Sequence, residues 1–211
     1  MSKSRRATLA VSASAMALLL LAGCGTQRAG SAAIAGDERL TESQVSDQLD
    51  EVTALYDEFP DAERLSDAQL TQAAISWWLN GEVMQAFAAE NDVQVTSTQI
   101  DQVLGPVGER EQISLAAGVA PSQLQSAARA IVTYQAAAQA LAADGASEQE
   151  VVAQLAAQLE QTANSLGVKV NPRFGSGWVP GLEQQLAPRN PERLSSPAEG
   201  TEPAPELVPE Q

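Results

Sequence analysis

The side chains that usually run reactions are scarce in this chain. Cys24 is the only thiol and there is no histidine at all. Histidine is the usual proton shuttle near neutral pH and a very common metal ligand, so its absence leaves no Ser-His, Cys-His or zinc constellation to assemble. Carboxylates are abundant, with 27 Asp and Glu against 12 Lys and Arg, but they fall mainly on the polar faces of helical stretches, where a solvated surface is the plain reading. No calcium loop, phosphate-binding loop or dinucleotide glycine fingerprint occurs. The composition points away from an enzyme, and no catalytic residue, metal or cofactor is expected.

Cys24 still has a chemistry of its own. Lys3, Arg5 and Arg6 precede a mostly apolar run, Ala7 to Leu20, that closes on Leu21-Ala22-Gly23-Cys24. That run is too short to span a bilayer and has the layout of an export signal. LAGC resembles the bacterial lipoprotein signal, which implies cleavage of residues 1–23, a thioether lipid on Cys24 and acylation (palmitate or a similar chain) of the new amino terminus. An export signal with one cysteine also rules out an intrachain disulfide, so stability has to come from packing.

Cleavage removes three positive charges and no acids, taking the formal net charge from −15 to −18. Phosphate backbones and anionic headgroups repel such a chain, so nucleic acid is an unsuitable partner. The lipid on Cys24 therefore has to hold the protein at the membrane. Each buried methylene contributes about 0.8 kcal/mol to that anchorage.

Past the lipid, residues 24–31 are small and polar and read as a tether, and residues 32–180 read as one folded domain. The stretch SAAIAGDERLT alternates around Gly36-Asp37 and predicts a hairpin. Four capping boxes, Thr41/Gln44, Ser66/Gln69, Thr96/Gln99 and Ser147/Glu150, mark helix starts. The first helix carries Val45, Leu49, Val52, Tyr56 and Phe59 on one stripe and stops at Pro60. The second runs to about Asn91, a residue suited to a left-handed stop. The third breaks at Gly105-Pro106, and a less regular helix follows over 107–117. Pro121 opens another long helix with Leu124, Ala127, Ala128, Ile131, Tyr134, Ala138 and Leu141 on one face, ending near Asp144-Gly145. The last carries Val151, Val152, Leu155, Leu159 and Leu166, with Gly167 as its stop. Residues 181–211, including PAEGTEPAPELVPEQ, read as a disordered acidic proline-rich tail. The fold class is mainly α with a small two- or three-stranded sheet.

The second helix has two apolar strips. Leu70, Ala73, Ala74, Trp77, Gly81, Met84 and Ala88 form one; Ile75, Leu79, Val83 and Ala86 lie opposite, with Trp78 and Phe87 toward the flanks. Such a helix is either central to the bundle or keeps one face for a visitor. Trp77, Trp78, Met84, Phe87 and Tyr134 are the candidate peptide-binding residues, because thioethers and rings suit adaptable apolar recognition.

The order of elements, AAIAGDERLTESQV, then AAENDVQVTSTQIDQVL, LAAGVAPSQLQSAARAIVTYQAAA and VKVNPRFGSGW, resembles the helical chaperone domain of SurA and PrsA-type exported folding factors over roughly residues 32–178. The resemblance implies a small sheet in which Val168–Val170 pairs with Ala33–Ala35 or with Arg39–Thr41, with Pro172 ending the pairing and Phe174 and Trp178 covering an end of the bundle. Relatives often insert a parvulin isomerase domain. No β-rich insertion lies between Tyr134 and Ser147, so isomerase activity is not expected. The resemblance implies a lipid-anchored holdase for unfolded exported polypeptides, on the extracytoplasmic face of the cell membrane. The alternative is a scaffold or accessory lipoprotein subunit of a cell-envelope complex. The alternative uses the second helix for one fixed partner, and the number of partners recovered from membranes discriminates between the two; if Ile75, Leu79 and Val83 are sealed by neighbouring helices, the chaperone reading has no physical basis.

Overall fold

The computed structural model describes residues 30–175 together with Trp178 and Pro180. The segment expected to be an export signal, Cys24 as the expected lipidation site, most of the expected tether and the expected tail over 181–211 lie outside the described residues.

Among the described residues six α-helices and three short strands follow one another. Strands β1 (Ser31–Ala35) and β2 (Glu38–Thr41) form the hairpin, and α1 (Glu42–Glu58) follows directly. Next come α2 (Asp67–Glu90), α3 (Ser97–Leu104), α4 (Val107–Ala117), α5 (Leu124–Ala143) and α6 (Glu148–Ser165), then β3 (Lys169–Val170). Single 3-10 turns at Pro121–Gln123 and Pro172–Phe174 precede α5 and follow β3. Ser31 belongs to β1, so the tether ends one residue earlier than 24–31 suggests.

All four capping boxes form with both arms in place. At α1, for example, the Gln44 N–H donates to Thr41 Oγ1 at 3.2 Å and the Thr41 N–H donates to Gln44 Oε1 at 2.8 Å. Two N–H groups that the helix itself cannot pair are satisfied at each start, a contribution of about 1 kcal/mol per cap. The stops follow the glycines: Gly105 and Gly118 take φ of 63°, and Gly167 61°. The stop after α2 falls one residue later than expected. Asn91 has φ of −113° and bonds back to the Phe87 carbonyl through Nδ2 at 2.9 Å, and Asp92 takes the left-handed conformation at φ 53°. Residues 107–117 form a regular helix.

The hairpin turns at Gly36-Asp37, where Gly36 has φ of 61°. The sheet order is β2-β1-β3, antiparallel throughout, with Ala33 opposite Leu40 and Val170, and Ile34 opposite Arg39 and Lys169. Of the two partners considered for the late strand, β1 is therefore the one it meets. The Gly36 N–H donates to the Leu166 carbonyl at 2.7 Å, which ties the hairpin turn to the end of α6.

Helix α2 runs through the middle. It packs against α1, α5, α6 and β1, and both of its strips are buried, Val83 of the second joining Trp77 and Met84 of the first in the main cluster and Ala74 of the first joining Ile75 and Leu79 on the sheet side. Trp77, Val83, Met84 and Phe87 pack with Ile100, Leu104, Val119, Leu124 and Leu155. Ala74, Ile75 and Leu79 pack with Ala33, Leu40 and Val45 of the sheet side. Each large side chain so buried contributes about 1.5–3 kcal/mol, which is how a domain without disulfides holds together. A third cluster joins α1 to α4 through Val52, Tyr56 and Leu115. There Tyr56 Oη donates to the Leu115 carbonyl at 3.3 Å and accepts from the Leu65 N–H at 3.1 Å, pinning the loop before α2. Two stripe residues face out instead of in. Phe59, at the stop of α1, is 41% exposed and Val152 is 37% exposed, because each sits at the margin of its helix's buried face.

Candidate functional site

The five residues proposed to line a groove do not form one. Trp77, Met84 and Phe87 are 3%, 2% and 2% exposed, and Ile75, Leu79 and Val83 are 0%, 0% and 1%. In the second strip of α2, Ile75 and Leu79 are covered by the sheet and α1 and Val83 lies within the main cluster, so the helix is central and these side chains are core. Trp77 donates from Nε1 to the Ala117 carbonyl at 3.4 Å, a contact that holds α4 against α2. Consecutive helical residues point about 100° apart, so Trp78 leaves Trp77 and packs, half-buried, on the sheet-side cluster. Tyr134 lies half-buried on α5 against the main cluster. Among the described residues the only large apolar side chains more than a third exposed are Phe59 and Val152.

No cluster of acidic or cysteine side chains suited to a metal occurs among the described residues. No described helix is long and apolar enough to cross a membrane.

A cleft does occur where the chain leaves the helical domain. It has a volume of about 380 Å³ and is walled by Glu160, Ala163 and Asn164 of α6 and by Val168, Val170, Pro172, Gly175, Trp178 and Pro180. Its position follows from local chemistry. Gly167 ends α6 with φ of 61°, and the Val168 N–H closes on the Ala163 carbonyl at 3.1 Å, so the chain folds back along β1. Asn171 then ends the strand with three bonds. Its N–H donates to the Ala32 carbonyl at 2.8 Å, its Nδ2 to the Ser31 carbonyl at 3.1 Å, and its Oδ1 accepts from the Arg173 N–H at 3.1 Å. The last bond is an Asx turn, which starts the 3-10 turn at Pro172. Arg173 reaches Glu42 at 3.2 Å, an exposed pair that ties this segment to the start of α1 for about 0–1 kcal/mol. Phe174 and Trp178 pack on the sheet-side cluster, as expected for residues covering an end of the bundle.

Two features give the cleft chemical character. Among the described residues Glu160 is the one ionisable side chain in its wall. Trp178 presents an indole N–H that is shielded from solvent and has no acceptor among the described residues; an unmet buried donor costs about 1–3 kcal/mol relative to a bonded one. The sequence carried part of this site in plain view: a Val-Lys-Val alternation stopped by Asn-Pro, with an aromatic beyond it. The other wall was hidden, because Glu160, Ala163 and Asn164 share one face of α6 and nothing in their spacing shows that β3 folds back beside them.

Comparison with known proteins finds no match: no family model, no curated protein and no solved structure corresponds to this chain.

Proposed function

We propose that this chain is a membrane-tethered, extracytoplasmic accessory protein without catalytic activity, which holds a partner polypeptide at the cleft between α6 and β3. The lipid on Cys24 supplies the tether, and the acidic domain stands off from anionic headgroups. The observation that carries the reading is the sealing of α2 on both sides, combined with a surface that exposes almost no large apolar side chain. A general holdase needs a broad adaptable apolar surface for many clients. A cleft of about 380 Å³ lies near the small end of the usual range for binding sites and suits one defined segment.

A second reading keeps the holdase activity, on one observation: β3 returns from the far end of the domain to pair with β1 at Ala33 and Ile34, the closure that the resemblance to SurA and PrsA-type domains implies. In that case clients also engage the cleft.

Purification of the tagged full chain from its native membranes separates the two. An accessory protein recovers one partner near equal stoichiometry and does not slow the aggregation of a denatured test protein at several-fold molar excess. A holdase recovers many partners at low occupancy and suppresses light scattering. Recovery of no partner together with no suppression refutes both.

A further inference from the structure

The backbone of β3 has one side in use and one side open. Among the described residues it is an edge strand, paired only to β1 in the order β2-β1-β3. The Asn171 N–H bonds to the Ala32 carbonyl, and antiparallel ladders alternate bonded and non-bonded pairs. Ile34 and Lys169 are therefore the next bonded pair, and Ala33 and Val170 the non-bonded one. The N–H and C=O of Val170 consequently point away from β1. The Val168 N–H is already taken by Ala163, so the open edge offers the Val170 donor with the Val168 and Val170 acceptors. The side chains of Val168, Val170 and Pro172, at alternate positions of this same segment, wall the cleft.

We propose that the cleft recognises its partner by strand addition: an extended segment carrying an apolar and a basic side chain two residues apart, on one face, pairs with the open edge of β3, seats the apolar side chain against Val168, Val170 and Trp178, and sets the basic one beside Glu160. This rests on the reading of the cleft as the polypeptide-binding site and adds its mode and its sequence preference. Main-chain bonds to a free edge confer affinity and alternate side-chain pockets confer choice. Charge selects the occupant. Glu160 is the sole ionisable group in the wall among the described residues and the chain carries a formal net charge of −15, so an acidic segment is repelled and a basic one attracted. Trp178 adds an independent pointer. Its indole N–H lacks an acceptor among the described residues, and a peptide carbonyl brought to the cleft supplies one once the ring turns toward it.

The test is fluorescence anisotropy at low salt, with the full chain in non-ionic detergent and three labelled octapeptides: one with Val and Lys in turn at the odd positions and Ser at the even ones (the Lys/Val peptide), one with Glu in place of Lys, and the Lys/Val peptide N-methylated at alternate residues so that it cannot pair an edge. The Lys/Val peptide binds; the other two bind at least about tenfold more weakly, roughly the worth of one or two hydrogen bonds or a charge contact. Glu160→Lys, at an exposed position where folding is not at stake, weakens the Lys/Val peptide by a similar factor. Trp178→Phe, which keeps the ring and removes the N–H, weakens it a few-fold. Equal binding of all three peptides, or no binding of the Lys/Val peptide, overturns strand addition. If that happens while membrane purification still recovers a stoichiometric partner that Trp178→Ala releases, the accessory reading stands and only its mode falls. If Trp178→Ala leaves the partner in place, the cleft falls with it.

Discussion

Leu79→Ala separates a core helix from a binding helix in one measurement. Leu79 is 0% exposed and packs between the sheet and α2's own strip with Ile75, Leu40 and Val45. Removing its isobutyl group loses the transfer energy of the side chain and leaves a cavity in a cluster rich in alanines, Ala32, Ala33, Ala35 and Ala74, whose short side chains do little to fill it. The expected loss is about 3–4 kcal/mol, toward the upper half of the range for buried leucines. For a domain of this size each kcal/mol lowers Tm by about 2–4 °C, so the midpoint drops by roughly 6–16 °C. Urea unfolding followed by circular dichroism reads the change as a lower midpoint with an unchanged slope. A groove residue behaves in the opposite way, weakening polypeptide binding while leaving stability nearly intact. A loss below about 1 kcal/mol, the figure for an exposed or relaxed site, refutes the placement of α2 at the centre of the fold.

Four further substitutions follow from the turns and the charges. Gly118 and Gly167 share nearly the same φ, 63° and 61°, but a Cβ at Gly118 meets Leu65 Cδ1 at 2.9 Å and Ala73 Cβ at 3.2 Å, whereas one at Gly167 meets nothing within 4 Å. Gly167→Ala therefore costs only the left-handed backbone penalty of about 1–2 kcal/mol, and Gly118→Ala costs about 1–3 kcal/mol more through overpacking, in the same urea assay; equal losses refute the close approach of α4's end to α2. Burial, aided by the charge of Glu38, holds the Glu82 carboxyl above its ordinary value of 4.5, so the folded chain binds that proton more tightly than the unfolded one. The resulting stabilisation is full below pH 4.5 and is lost as pH rises through the raised value. Glu82→Gln thus flattens that decline and leaves stability at pH 7 equal or higher. Glu150 behaves with the opposite sign, its carboxyl lowered by the Ser147 side-chain and backbone hydrogen bonds, so its contribution is present above pH 4.5 and fades as pH falls; Glu150→Gln, which copies the other three capping boxes, removes that acid sensitivity.

The helix starts and stops were legible because their chemistry is local. A Thr or Ser hydroxyl three residues ahead of a Gln or Glu closes its own box, and a glycine beyond the last turn takes the left-handed conformation whatever packs around it. The hairpin at Gly36-Asp37 was legible for the same reason, and so was the strand at Val168 once Gly167 and Pro172 bracketed it. Asn91 and Asp92 mark the precision of such reasoning: either residue tolerates the left-handed conformation, and the bond from Asn91 Nδ2 to Phe87 decided between them.

The role of α2 was not legible. Two opposed apolar strips on a helix describe a central element and a binding element equally well, since periodicity says which residues are greasy and not what lies against them. Only the tertiary arrangement closed the question, by laying β1, β2 and α1 over Ile75 and Leu79 while α5 and the helices around it covered Met84 and Phe87. The cleft was decided at the same level. Residues 160–164 and 168–180 are near in sequence, but the reversal at Gly167, the ladder to Ala33 and the Asx turn at Asn171 are what set one across from the other. What the amino-acid sequence alone determined was the set of local elements and their boundaries, because those depend on contacts within a few residues; which apolar faces are consumed by the fold and which opening remains depend on contacts between distant segments, and only the packed structure decides them.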